Sequence, residues 1–121
     1  MFNHFKDKNN IDIHPEKKFH SIIRRECSRS DRLNKSFSLI VFKVGDNAEL
    51  LSLTKFLYDR IRMSDQIGWF DNKNIGLLLP ETSYDGALKL AEEVKTRMEE
   101  GVFKFSVCHV YYYPSIEWKF K

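Results

Sequence analysis

Two short apolar runs, Gln66 to Phe70 and Ile75 to Leu79, flank four turn-forming residues, Asp71-Asn72-Lys73-Asn74, and no other feature constrains the chain as much. Such runs around a short polar loop predict a β-hairpin. Pro80 ends the second run, because proline has no N–H to give to a ladder. A lone hairpin is marginal in water, so further strands or helices must cover it. Phe37 to Val44 is rich in β-branched and aromatic residues and reads as a buried strand, and a final strand is predicted from about Phe103 to Tyr112.

The intervening segments carry helical periodicity. Gly45-Asp46-Asn47 breaks the first strand, and Asp46 with Glu49 has the form of a capping box; Leu50, Leu53, Leu57 and Ile61, joined by Phe56, then supply one apolar stripe. Thr82 or Ser83 is placed to cap a further helix in which Ala87, Leu90, Ala91, Val94 and Met98 share a face, with Gly101 as its C-terminal cap. An additional helix opens ahead of the first strand at His14-Pro15-Glu16, where proline suits the first turn, and its predicted stripe is Phe19, Ile22, Ile23, Cys27 and Leu33. After that helix the order is βαββαβ. This is an α+β arrangement of ferredoxin-like type, an antiparallel sheet covered by two helices, with an additional N-terminal helix. Residues 1–13 read as a mobile N-terminal arm, 14–113 as a single domain and 114–121 as a C-terminal tail or linker.

Composition removes several function classes. The 121 residues suffice for one core, and no apolar run approaches the roughly 20 residues of a membrane span. Cys27 and Cys108 form no CxxC pair, and His4, His14, His20 and His109 lack metal-ligand spacing, so neither a metal nor another cofactor is expected. The polar start and the unpaired cysteines suit a cytoplasmic chain, one that could also lie at the inner membrane face through a partner or fused domain. Net charge is only +3, but Arg24, Arg25, Arg29 and Arg32 fall on one helix and suit anionic lipid or an acidic partner, if they do more than solvate it. An RNA-binding module has this strand order too, yet Ile75-Gly76-Leu77-Leu78-Leu79 offers no aromatic platform for bases, and no nucleic acid is expected as a partner. In the tail, Trp118 and Phe120 alternate with Glu117, Lys119 and Lys121, which fits either a partner-contacting segment or an edge-strand extension.

The middle of the chain is more specific. Arg62-Met63-Ser64-Asp65-Gln66-Ile67-Gly68-Trp69-Phe70, then a hairpin, then Ile75-Gly76-Leu77-Leu78-Leu79-Pro80-Glu81-Thr82 resembles the GGDEF diguanylate cyclase family. The resemblance covers roughly residues 18–113 and implies that family's nucleotide cyclase-like fold. It also implies where the chemistry would sit, and there the pattern fails. The signature turn reads Asp71-Asn72-Lys73-Asn74-Ile75, so side chains replace the glycines that admit nucleotide, and Lys73 and Asn74 replace the acidic pair. Lys43 stands where the first strand of a cyclase carries a metal-binding aspartate, and an ammonium cannot ligate Mg²⁺. Phosphoryl transfer relies on metal and placed charge, so no catalytic residue is assigned and the chain is expected not to be an enzyme.

The resemblance further implies an inhibitory-type site for cyclic di-GMP at Arg62 and Asp65, which hold the family's R-x-x-D spacing ahead of the turn. An arginine fork can pair with phosphate or a guanine edge, but the same two residues suit a simple helix-end pair. Arg24 to Arg32, Phe37 to Phe42 and Ile67 to Asp71 are similar to GGDEF-like segments beside bacterial sugar-phosphate transferases of exopolysaccharide synthesis. The implied role is regulation or scaffolding of a protein partner, such a transferase or a second copy, with cyclic di-GMP sensing as the alternative.

Overall fold

In a computed structural model of the chain, residues 13–99 and 107–115 are described. The elements are α1 (Glu16–Leu33), β1 (Phe37–Lys43), α2 (Asn47–Arg60), β2 (Gln66–Trp69), β3 (Asn74–Pro80), α3 (Tyr84–Glu99) and β4 (Val107–Tyr113). The sheet order is β2-β3-β1-β4 and each neighbouring pair is antiparallel. The predicted α+β order and antiparallel sheet are therefore present, with the additional helix at the front.

The sheet is covered on both faces. Ile40 and Phe42 of β1, with Ile75, Leu77 and Leu79 of β3, join Leu53 and Leu57 of α2 and Ala87, Ala91 and Val94 of α3 in one buried cluster. Phe37, Leu39 and Val41, with Leu78, point the other way and meet Phe19 and Ile23 of α1. Side chains alternate along a strand, so helices on both faces leave β1 buried on both sides from Phe37 to Phe42 and apolar there except for Ser38. Gly68 and Gly76 are partners in the β2–β3 ladder, and both lie under the Phe19 ring. A Cβ at either position would run into that ring, and at Gly76 it would lie 2.5 Å from Phe19 Cε2.

The caps explain the helix limits. Asp46 accepts a hydrogen bond from the Glu49 backbone N–H at 2.8 Å, and the Glu49 carboxylate accepts one from the Gly45 N–H at 2.7 Å. The predicted box is thus made, its return bond landing on Gly45. Ser83 accepts from the Gly86 N–H at 3.0 Å, so Ser83 caps α3. Pro15 sits one residue ahead of α1, as its cap, and Ile61 turns extended to end α2.

Two expectations need correction. Leu33 is 46% exposed and does not continue the α1 stripe, because it is the last helical residue and left-handed Asn34, at φ 55°, folds the chain back toward β1; Ser30 takes the buried position instead. Ile13, the last residue of the expected arm, is held by the core, and His14, expected to open the helix, lies ahead of it against β2. Ile13 packs against the core, while His14 pairs in parallel with β2, donating to Ile67 O at 3.0 Å and accepting from the Trp69 N–H at 2.9 Å. The rest of the expected arm lies outside the described residues, as do Phe103 to Ser106 of the last predicted strand, Gly101, and Trp118 and Phe120 of the tail. The Met98 side chain and that of Cys108 are likewise outside them.

Candidate functional site

The end of β1 and the β2–β3 turn are neighbours. Lys43 pairs with Asn74 across the ladder, and the Val44 N–H donates to Lys73 O at 3.2 Å. The fold thereby places Lys43 beside Asp71-Asn72-Lys73-Asn74, both lysines exposed. The turn is closed by its own first residue. Asp71 Oδ1 accepts from the Lys73 and Asn74 N–H groups, each at 2.8 Å, and the Asn74 amide donates to both carboxylate oxygens at 2.9 and 2.8 Å. The Phe70 N–H donates to Asn74 O at 2.9 Å. Asp71 is the one acid in the turn, and its carboxylate is spent on making the turn.

Partial burial pushes the Asp71 carboxyl up, but the donors from Lys73 and Asn74 outweigh it and hold the group below the ordinary aspartate range. A depressed folded-state value means that the carboxylate stabilises the fold above the unfolded aspartate value, near 4. That contribution fades as pH falls through the lower, folded value. Asp71→Asn is therefore expected to lower stability at neutral pH and to flatten its decline below about pH 4. Urea midpoints across the acid range check this, and parallel curves for parent and variant would contradict it.

Arg62 and Asp65 lie at the other end of β2, roughly 13 Å away along four residues of strand. The structure brings them together. Asp65 accepts from the Arg62 backbone N–H at 2.8 Å, from Nη2 at 2.9 Å and from Nε at 3.4 Å. Arg62 Nη2 also donates to Pro80 O at 2.8 Å and to Thr82 Oγ1 at 2.9 Å. The Asp65 side chain is only 3% exposed, against 54% for Arg62. The hydrogen bond to Asp65 raises the guanidinium's proton affinity more than its partial burial lowers it, with help from the charges of Asp65 and Glu81. The pair ties the turn after α2 to the end of β3 and the loop before α3 while leaving one side of the arginine open to solvent.

A second polar cluster lies next to it and was not foreseen. Glu81, at φ 52°, accepts from Arg29 at 3.2 Å and Lys35 at 3.4 Å, and those two bonds and charges hold its carboxyl below the ordinary range. No sequence pattern announces a left-handed glutamate. A cleft of about 410 Å³ runs beside it, lined by Asn34, Lys35, Ser36, Glu81, Tyr112 and Pro114, and by none of the turn residues. Burial, then Asp31 and Glu26, push the Cys27 thiol up to about 11, which disfavours its thiolate at neutral pH. Among the described residues no group of three or more His, Cys, Asp and Glu could hold a metal, and no helix is long and apolar enough to cross a membrane.

No family model matches the sequence, and no curated protein does either. Solved structures do match in fold. A DGC protein from Thermotoga maritima superposes with a TM-score of 0.76 at 17% identity, covering 86% of this chain and 84% of that one. The GGDEF domain of DgcB from Caulobacter crescentus, in complex with c-di-GMP, gives 0.66 at 10% identity over 93% and 76%. The diguanylate cyclase SiaD from Pseudomonas aeruginosa, in complex with its activator SiaC, gives 0.60 at 20% identity over 81% and 44%. These identities speak to architecture alone. With the βαββαβ order, the sheet and the placed turn already in view, the chain has the fold of the GGDEF diguanylate cyclase domains.

Proposed function

We propose that this chain is a GGDEF-fold domain without cyclase activity, which regulates or scaffolds a protein partner. One observation carries the reading: the turn at the cyclase signature position is closed on the Asp71 carboxylate, with the ammonium-bearing Lys43 and Lys73 beside it. Mg²⁺ takes oxygen ligands, carboxylates foremost, and two cations with a committed carboxylate supply no free carboxylate. Without metal and positioned donors, a triphosphate has nothing to lower its barrier.

Incubation with GTP and Mg²⁺, followed by chromatography of the nucleotides, is expected to return GTP unchanged. Cyclic di-GMP formed by the chain, and abolished by heating it, would sink the reading. The partner follows from likeness. A related fold is seen with a protein activator in SiaD, and the Arg24 to Arg32 and Ile67 to Asp71 segments are similar to those beside sugar-phosphate transferases of exopolysaccharide synthesis. Such a partner would hold the domain at the inner membrane face. Added domain is expected to change the rate of a membrane-bound sugar-phosphate transferase, and an unchanged rate together with no complex would discard that partner.

A second reading rests on the solvent-facing side of Arg62, which gives an anion somewhere to land beside the R-x-x-D turn. DgcB, of the same fold, is seen with c-di-GMP. Against it, Asp65 is buried and bonded to Arg62, so a ligand using that carboxylate must first displace the arginine. Calorimetric titration with cyclic di-GMP separates the two readings.

A further inference from the structure

We propose that the outward face of α1 is a peripheral docking ridge for an anionic lipid bilayer. The inference does not depend on the reading of the signature turn. α1 carries six Lys and Arg against three Asp and Glu, while the whole chain carries 20 against 17, which leaves the remainder balanced at 14 of each. The net charge of +3 therefore resides on this one helix of 18 residues.

The fold gives that charge a direction. Phe19 and Ile23 are turned into the sheet, and Lys17, Lys18, Arg24, Arg25 and Arg32 are left exposed. Two of the three acids of α1 are bonded to residues outside this set. Glu26 accepts from Arg29 at 3.1 Å, and Asp31 accepts from the Tyr113 hydroxyl at 2.8 Å, which pushes that phenol up to about 12. From Lys17 to Arg32 the helix rises roughly 22 Å, so the cations form a row several lipid headgroups long.

The composition of the ridge selects the occupant. Protein interfaces are depleted of lysine, and arginine serves them as a hot spot where it is desolvated in a packed pocket beside aromatic or apolar anchors. Here the exposed positions between the cations include Ser21 and Ser28, with no aromatic anchor among them. A bilayer requires no pocket. It requires cations held near its surface, each contributing separately and each screened by salt.

The test is cosedimentation of the full chain with vesicles of phosphatidylcholine, and of phosphatidylcholine and phosphatidylglycerol in equal parts. Binding is expected only to the anionic vesicles, and is expected to weaken as salt rises. Arg24→Gln with Arg25→Gln should weaken it roughly thirtyfold, at about fivefold per cation, and Arg24→Glu with Arg25→Glu should abolish it. Lys89→Glu with Lys95→Glu changes net charge as much as the latter pair, on exposed α3 positions, and should leave most of the binding intact. Circular dichroism confirms that each variant keeps its helices. Equal binding to both vesicle types, equal losses in the α1 and α3 variants, or insensitivity to salt would overturn the proposal. So would binding to a soluble polyglutamate without binding to anionic vesicles, which would assign the ridge to an acidic protein.

Discussion

Phe19→Ala is expected to lower the free energy of unfolding by about 3–5 kcal/mol, a large share of the roughly 5–15 kcal/mol that holds a domain together. The ring is fully buried and lies across Gly68 and Gly76, the paired positions of two neighbouring strands. It thereby fills the space that two side chains would otherwise take, and its removal leaves a void between α1 and the sheet that neither glycine can close. Urea denaturation followed by circular dichroism measures the loss, and a change below about 1 kcal/mol would mean that α1 is not an integral part of the core. The seating can be tested separately. Gly76→Ala puts a methyl 2.5 Å from Phe19 Cε2 and 3.0 Å from Cζ, so in the parent it should cost about 1–3 kcal/mol through overpacking. In the Phe19→Ala background the same methyl enters the vacated space, and its cost should fall to nearly nothing. Additive losses would refute the contact.

That contact marks where the sequence stopped being legible. The β1 run, the hairpin loop and the Asp46–Glu49 cap are local signals, and each could be read because the residues that decide it are neighbours in the chain. Gly68 and Gly76 become a seat for Phe19 only once the β2–β3 register is known, and that register is a property of two strands and a helix together. The side of the sheet that α1 covers was illegible for the same reason: an apolar stripe says that a helix must be buried, not against which face. Leu33 failed at the opposite scale, through the left-handed turn at Asn34 that periodicity does not see. At the candidate site, the spacing of Arg62 and Asp65 suggested a pair and the turn residues suggested a lost signature. The anchoring of Arg62 to Pro80 and Thr82 spans 18 and 20 residues and had no local sign.

The anchoring also sets the cost of taking the pair apart, and predicts an asymmetry. Asp65→Ala removes a buried acceptor of hydrogen bonds from the Arg62 backbone N–H and guanidinium, and is expected to cost about 2 kcal/mol, since bonds to charged groups run near 1.5–3. Arg62, with 54% of its side chain exposed, can then turn to water. Arg62→Ala is expected to cost more, about 3 kcal/mol, because it takes the neutralising charge from a carboxylate only 3% exposed and leaves it the residue-62 backbone N–H. The exposure of the arginine keeps the figure at the lower end of that range. Equal losses would mean that the carboxylate is not held as the structure shows. The same asymmetry governs the search for a ligand at this turn. A loss of cyclic di-GMP binding in Arg62→Ala counts as evidence for a site only if the variant is still folded under the conditions of the titration. Arg62→Lys keeps a charge to neutralise Asp65 but lacks the fork that reaches Pro80 and Thr82 as well. Binding that survives in the lysine variant would point to simple charge attraction, and binding lost there with stability largely kept would identify the arginine fork as the recognition element.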